Sequence, residues 1–77
     1  MKIAILGGTG DEGFGLGYRW AAAGHEIIIG SRLAEKGASA AADMKTRLPQ
    51  ANVTGTDNLS AAQQAELVVL SVPYAAQ

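Results

Sequence analysis

The chain has 77 residues, of which 48% are hydrophobic and 17% are charged, and its formal net charge is −1. This length excludes a second domain, and the near-neutral charge excludes the basic surface typical of a dedicated nucleic-acid-binding protein. The absence of cysteine excludes a disulfide framework and a thiolate metal site. No apolar run approaches the roughly 18 residues of a membrane span, and no secretory signal is present, so we expect a soluble, cytoplasmic protein.

Three short apolar runs predict β-strands. Residues 2–6, 25–30 and 67–72 are rich in Ile, Val and Leu and are followed by glycine, serine or proline. Near-continuous apolar runs of this length are typical of strands that are buried on both faces, as in a parallel sheet. Residues 52–55 predict a weaker strand between the second and third of these runs.

The first intervening segment predicts a helix over residues 13–23. Gly13, Gly17 and Ala21 recur at i, i+4 and i+8, so one face of this helix would carry almost no side chains. Such a helix can lie very close to a sheet. Gly24 is expected to end it in the left-handed conformation.

Two further segments predict helices. Residues 33–48 are rich in alanine and are followed by Pro49, which ends the second helix. Asp57 or Asn58 is expected to cap a short third helix that runs through Gln64. Strands therefore alternate with helices along the whole chain.

This alternation predicts an α/β fold with a doubly wound parallel sheet in the strand order 3-2-1-4. Helices 13–23 and 33–48 are expected on one face of the sheet. Only the short segment 58–64 remains for the other face, so one face of the first and fourth strands is expected to lack cover. We therefore expect residues 1–77 to be the amino-terminal part of a larger domain, incomplete on its carboxy-terminal side.

A glycine-rich loop follows the first predicted strand and opens the first predicted helix. Residues 8–13 read Gly-Thr-Gly-Asp-Glu-Gly, and this G-x-G-x-x-G pattern in a strand–helix–strand unit is typical of Rossmann-type dinucleotide-binding domains. Gly8 would permit the tight turn, Gly10 the approach of a pyrophosphate, and Gly13 the close packing of helix on strand. The free N–H groups at the start of the helix would bind the phosphates. The alternative is a glycine-rich turn without a ligand.

Two carboxylates occupy this loop, where an anion is expected to bind. We expect the side chains of Asp11 and Glu12 to point outward, so that only backbone N–H groups face the phosphates. Negative side chains in the first turn also stabilise a helix through its dipole. That stabilisation is the alternative role for both residues.

The end of the second predicted strand indicates which dinucleotide binds. NAD-dependent enzymes carry Asp or Glu there, which accepts from the ribose 2′-hydroxyl, whereas this chain has Ser31 and Arg32. Arginine suits a phosphate because its planar fork bonds two oxygens at once. Lys36, four residues further on, is expected to lie on the same face as Arg32 and to complete a site for a 2′-phosphate. In the alternative interpretation, Ser31 caps the second helix and the two cations are surface charges.

Four motifs together resemble one enzyme family. These are Gly-Gly-Thr-Gly-x-Glu-Gly-x-Gly-Leu from position 7, Ala-Gly-His-Glu from 23, Ile-Gly-Ser-Arg from 29 and Val-Val-Leu-Ser-Val-Pro-Tyr from 68. In this order they are similar to the amino-terminal part of the deazaflavin-dependent NADP reductases, along the whole chain. The resemblance implies a Rossmann domain followed by a smaller carboxy-terminal domain, most of both being absent here. It also implies a homodimer that transfers a hydride between NADP(H) and coenzyme F420, with no acid–base residue because positioning the two rings is the main task.

The resemblance also implies roles for individual residues. Thr9, Gly10, Asp11 and Glu12 would line the pyrophosphate, and Ser31, Arg32 and Lys36 would bind the 2′-phosphate. Val72, Pro73 and Tyr74 would lie near the ribose and the nicotinamide, at the carboxyl end of the fourth strand. Tyr74 as an ordinary surface aromatic is the alternative for that residue.

Other functions fit the same residues. The NADP-binding domains of membrane ferric reductases have a similar glycine loop and a second strand that also ends in Gly-Ser-Arg, but they adjoin a transmembrane region. A non-catalytic module that senses NADP is an alternative of a different class. A pocket for a second substrate would indicate the enzyme, and its absence would indicate the sensor.

Overall fold

The computed structural model describes residues 1–71, apart from the side chain of Asp11. In chain order its elements are β1 (Lys2–Leu6), α1 (Asp11–Ala22), β2 (Glu26–Ser31), α2 (Ala34–Arg47), β3 (Val53–Asp57), α3 (Asn58–Gln64) and β4 (Leu67–Leu70). The predicted alternation of strands and helices is confirmed. Within these residues no helix is both long and apolar enough to cross a lipid bilayer.

The four strands form one sheet in the order β3-β2-β1-β4, and every neighbouring pair is parallel. Both the predicted strand order and the predicted Rossmann-type fold class are confirmed. Leu6, at the end of β1, pairs with Gly30 of β2 on one side and with Leu70 of β4 on the other. The carboxyl ends of these strands therefore meet at one edge of the sheet, which is where ligands bind in open α/β folds.

Each face of the sheet carries its own hydrophobic cluster. On one face α1 and α2 cover alternate strand residues, and the buried members are Ile3, Ile5, Ala21, Ile27, Ile29, Ala41, Met44 and Val53. On the other face α3 contributes Ala61, which packs with Ala4 and Ile28. The side-chain alternation of a strand explains this division, since successive residues point to opposite faces. Both long helices share one face, as predicted.

The small residues of α1 allow it to lie close to the sheet. Gly13, Gly17 and Ala21 are all buried. A Cβ added at Gly17 would lie 3.0 Å from Ile5 Cδ1 and 3.2 Å from Met44 Cε. These distances are shorter than ordinary van der Waals contacts. The helix can therefore lie this close to the sheet only because this face carries almost no side chains, as predicted.

The ends of α1 differ slightly from the prediction. The helix begins at Asp11 rather than at position 13, and it ends at Ala22. Gly24 has a φ of +101° and donates its N–H to the Ala21 carbonyl at 3.0 Å, while His25 donates to the Trp20 carbonyl at 3.0 Å. These two bonds form a Schellman motif. The predicted left-handed glycine is confirmed.

Helix α2 packs on β3 through a direct contact between two backbones. A Cβ added at Gly55 would overlap the carbonyl oxygen of Gly37, and one added at Gly37 would overlap the carbonyl oxygen of Thr56. Neither glycine has a positive φ, so space alone requires glycine at these positions. The close approach buries Gly37 and holds α2 against the edge strand.

Of the two residues predicted to cap α3, Asp57 is the one that does so. Its carboxylate accepts from the backbone N–H of Ser60 at 2.8 Å and from the Ser60 hydroxyl at 2.9 Å. These hydrogen bonds favour the charged form and lower the pKa of Asp57 below its usual value of 3.8. The short helix therefore starts from a fixed point at the end of β3.

Replacing Asp57 should change how the stability of the protein depends on pH. Because the pKa is lowered in the folded state, the cap stabilises the protein above about pH 4 and loses this effect as the pH falls through the lowered pKa. In Asp57→Ala this part of the acid dependence should be absent, so the difference in free energy of unfolding between wild type and variant should shrink below pH 4. Urea unfolding of both proteins between about pH 7 and 3 measures this difference. A constant difference across this range would contradict the assignment.

Strand β4 has an exposed apolar surface. Leu67 and Val68 are each 44% exposed and Leu70 is 70% exposed. The expectation that one face of the first and fourth strands lacks cover therefore holds for β4 but is wrong for β1. Ala4 of β1 is fully buried and packs with Ala61 of α3, because the short third helix lies across β1 and β2.

Candidate dinucleotide-binding site

The loop between β1 and α1 lies at the carboxyl edge of the sheet and is held there by backbone hydrogen bonds. Gly7 and Gly8 both donate their N–H groups to the Gly30 carbonyl at the end of β2, at 3.0 and 3.1 Å. Gly10 donates to the Gly7 carbonyl at 3.3 Å, which closes the turn. Gly7 has a φ of +76°, a backbone conformation that residues with a Cβ rarely adopt. The loop thus has a defined shape before any ligand binds.

The three glycines of the motif differ in how much space is available for a Cβ atom. A Cβ at Gly8 would lie 2.9 Å from the Ile5 carbonyl oxygen, and one at Gly13 would lie 2.9 Å from both Gly8 Cα and Ser71 Oγ. These two positions therefore serve the tight turn and the close packing of α1. A Cβ at Gly10 would have only the Gly7 carbonyl oxygen nearby, at 3.8 Å. The space beside Gly10 is open, and it is there that the motif predicts a pyrophosphate.

The start of α1 offers backbone donors to an anion. The N-cap residue is Gly10, which has no side chain to cap the helix, and the first helical bond runs from Phe14 N–H to the Gly10 carbonyl at 2.8 Å. The N–H groups of residues 11–13 precede that bond and have no acceptor within the helix. Glu12 is exposed, as expected for a side chain that points away from the phosphates. The side chain of Asp11 lies outside the described residues.

At the end of β2, Ser31 and the two cations have different environments. Ser31 is 7% exposed and belongs to β2. The N-cap of α2 is Leu33, without a side-chain hydrogen bond, so the alternative that Ser31 caps this helix is wrong. Arg32 and Lys36 are exposed, and within residues 1–71 neither takes part in an ion pair. Both cations are therefore free to bind an anion.

The prediction that Arg32 and Lys36 lie on one helix face is wrong. Arg32 precedes the N-cap Leu33, so the i, i+4 spacing does not describe the pair. Lys36 lies in the first turn of α2 and donates its N–H to the Leu33 carbonyl at 3.1 Å. Both residues nevertheless lie at the start of α2, which follows the carboxyl end of β2.

Two residues of this edge were not predicted as part of the site. Asn58 accepts the Gly7 N–H through Oδ1 at 3.2 Å, and Ser71 lies against Gly7 and Gly13 from the end of β4. The sequence alone predicts Asn58 only as a candidate helix cap, since nothing local relates it to a loop 51 positions earlier. Val72, Pro73 and Tyr74, which the resemblance placed near the nicotinamide, lie outside the described residues.

Both signs of charge occur at this edge, because the cations Arg32 and Lys36 follow β2 and a carboxylate lies at the end of the neighbouring strand β3. The carboxylate nearest to Ser31 in the sheet register is Asp57, and its oxygens accept from Ser60. Among the described residues no group of three or more His, Cys, Asp or Glu side chains could hold a metal ion.

One cavity lies away from this edge. It has a volume of about 470 Å³ and is lined by Met1, Lys2, Gly24, Glu26, Asn52, Gln64 and Glu66. Lys2, Glu26 and Asn52 lie at or just before the amino ends of their strands. Since ligands of open α/β sheets bind at the carboxyl ends, the glycine loop remains the candidate site.

Comparison with known proteins shows to which family this chain belongs. Residues 2–77 match the family described as "NADP oxidoreductase coenzyme F420-dependent". The chain belongs to this family. The resemblance to deazaflavin-dependent NADP reductases is thereby confirmed.

Curated members of the family are about half identical to this chain. The F420-dependent NADP reductase of Methanothermobacter marburgensis is 52% identical over 79 residues, which cover 100% of this chain and 35% of the relative. The F420-dependent NADP reductase of Methanocaldococcus jannaschii is 51% identical over 78 residues, which cover 96% of this chain and 34% of the relative. The chain thus spans about a third of the length of these relatives.

Proposed function

We propose that this chain is the NADP-binding part of an oxidoreductase that transfers a hydride between NADP(H) and coenzyme F420. The observation that carries the proposal is the presence of an open glycine loop beside a second strand that ends at Ser31 and is followed by Arg32. Family membership and the names of the relatives support the choice of F420 as the second substrate.

We assign the pyrophosphate to the glycine loop. Residues 9–12 would line it, and the N–H groups of residues 11–13 at the start of α1 would bind its oxygens, with Gly10 leaving the space that a side chain would fill. The positive end of the α1 dipole adds to the attraction. Gly8 and Gly13 would act indirectly, because they allow the turn and the packing that hold these donors in place.

The 2′-phosphate is assigned to three residues that follow the glycine loop in sequence. The Ser31 hydroxyl and the Arg32 guanidinium would donate hydrogen bonds to it, and Lys36 would contribute charge from the first turn of α2. Within residues 1–71 both cations are free of ion pairs, so binding breaks no existing pair. A charge-assisted bond of this kind contributes more than a neutral one.

When bound, the two cofactors would supply hydride transfer. Reduced F420 would give a hydride, which is two electrons and one proton, to NADP, and a second proton would be released from the deazaflavin. The contribution of this chain is to bind and orient the nicotinamide dinucleotide, so no side chain needs to donate or accept a proton. By family resemblance, Val72, Pro73 and Tyr74 would lie near the ribose and the nicotinamide. Positioning of this kind lowers the barrier by holding the reacting atoms in a productive geometry.

The full-length protein tests this proposal directly. With reduced F420 and NADP, we expect oxidation of the deazaflavin to match formation of NADPH in a one-to-one ratio, and we expect much slower reaction with NAD. Reduction of a flavin or of ferric iron without reaction of F420 would favour the ferric-reductase alternative. Tight binding of NADP without any hydride transfer would favour the sensing module.

We further propose that the full-length protein is a homodimer and is cytoplasmic. The exposed apolar side chains of Leu67, Val68 and Leu70 are compatible with burial against further polypeptide. Light scattering of the full-length protein in solution measures the oligomeric state.

A further inference from the structure

Asn58 connects the third helix to the first residue of the glycine loop. Its Oδ1 accepts the Gly7 N–H at 3.2 Å across a sequence separation of 51. The same N–H also lies 3.0 Å from the Gly30 carbonyl oxygen, so Gly7 is held by two acceptors from two different elements. Gly7 is where the backbone turns out of β1 with a positive φ. Its orientation therefore sets the direction of the loop that follows.

The surroundings of Asn58 leave room for this contact. A Cβ at Gly30 would lie only 2.7 Å from Asn58 Oδ1, so any side chain at that position would displace the amide. Asn58 itself is half-buried, which shields the hydrogen bond from water. The absence of a side chain at Gly30 thus serves the Asn58 contact as well as the packing of α3.

The position of Asn58 is fixed by the cap of α3. It is the first residue of this helix, and the preceding Asp57 accepts two hydrogen bonds from Ser60. Asp57 also pairs in register with Ser31 of β2. The amide is therefore anchored to the sheet on one side and to the first helical turn on the other.

We propose that Asn58 is a positioning residue for dinucleotide binding, which acts by holding the Gly7 N–H and thereby orienting the pyrophosphate donors of the glycine loop. This inference rests on the proposed function. The pyrophosphate is common to NAD and NADP, so Asn58 should affect both dinucleotides equally, whereas Arg32 should affect only NADP.

Three variants of the full-length protein test this role. Asn58→Leu keeps the size of the side chain and removes the acceptor, Asn58→Asp keeps an oxygen acceptor in the same place, and Leu59→Ala is the control. Leu59 is the adjacent residue of α3 and is 69% exposed. The measurements are calorimetric titration with NADP and with NAD, and amide hydrogen exchange at Gly7 in the unliganded protein.

Because Asn58→Leu removes one neutral hydrogen bond, we expect it to lower the affinity for both dinucleotides about fivefold. We also expect faster amide hydrogen exchange at Gly7. Asn58→Asp should keep the slow exchange of wild type, and Leu59→Ala should match wild type in both measurements. Affinities of Asn58→Leu within about twofold of wild type for both dinucleotides would overturn the inference. So would equal losses in Leu59→Ala, or exchange in Asn58→Asp as fast as in Asn58→Leu. If wild type bound neither dinucleotide, the proposed function would fail together with this inference.

Discussion

Arg32→Ala is expected to weaken NADP binding by about tenfold to a hundredfold and to leave NAD affinity nearly unchanged. The basis is the contribution of a charge-assisted hydrogen bond, roughly 1.5–3 kcal/mol. NAD has no 2′-phosphate, so it loses no contact when the guanidinium is removed. Arg32 is exposed and within residues 1–71 takes part in no ion pair, so its removal should not disturb the fold. Calorimetric titration of the full-length protein with both dinucleotides measures the effect.

Arg19→Ala is the matched control for this experiment. Arg19 is an exposed arginine in the last turn of α1, at the opposite end of that helix from the glycine loop, and its removal should change neither affinity. Ser31→Asp should reverse the preference, since a carboxylate there would repel the 2′-phosphate and accept from a free 2′-hydroxyl. Equal losses of NAD and NADP affinity in Arg32→Ala would mean that Arg32 supports the loop in general, and would refute its role in specificity.

Two glycine-to-alanine substitutions should change stability in opposite directions. Gly55→Ala is expected to lower the free energy of unfolding by about 3 kcal/mol or more, because its Cβ would overlap the carbonyl oxygen of Gly37. Both partners of that contact are backbone, so relief requires α2 to move away from β3. Gly15→Ala is expected to raise the free energy of unfolding by up to about 1 kcal/mol, because Gly15 is an exposed helical residue with no atom within 4 Å of an added Cβ.

Urea unfolding of the full-length variants gives both values. Gly17→Ala provides an intermediate case, since its Cβ would meet the flexible ends of Ile5 and Met44 rather than backbone. Its loss should be smaller than that of Gly55→Ala. Equal stabilities of Gly55→Ala and Gly15→Ala would show that the contact between α2 and β3 is not as close as described.

Several features of this protein follow from local sequence. Apolar runs such as residues 2–6 predict their strands because a buried parallel strand needs apolar side chains on both faces. The end of α1 follows from Gly24, because few other residues adopt the left-handed conformation. The start of α3 follows from Asp57, whose side chain reaches an N–H only three positions away. The strand order follows in turn from the chirality of strand–helix–strand connections.

Tertiary structure alone decided the contacts between residues that are distant in sequence. The hydrogen bond from Gly7 to Asn58 and the backbone contact between Gly37 and Gly55 depend on how closely each helix approaches the sheet. The burial of Ala4 likewise depends on where the short third helix lies. No local pattern predicts these distances, because they result from the packing of all the side chains between the layers. The sequence by itself therefore determined the elements and the residue types at the candidate site, and packing determined how the site is held in shape.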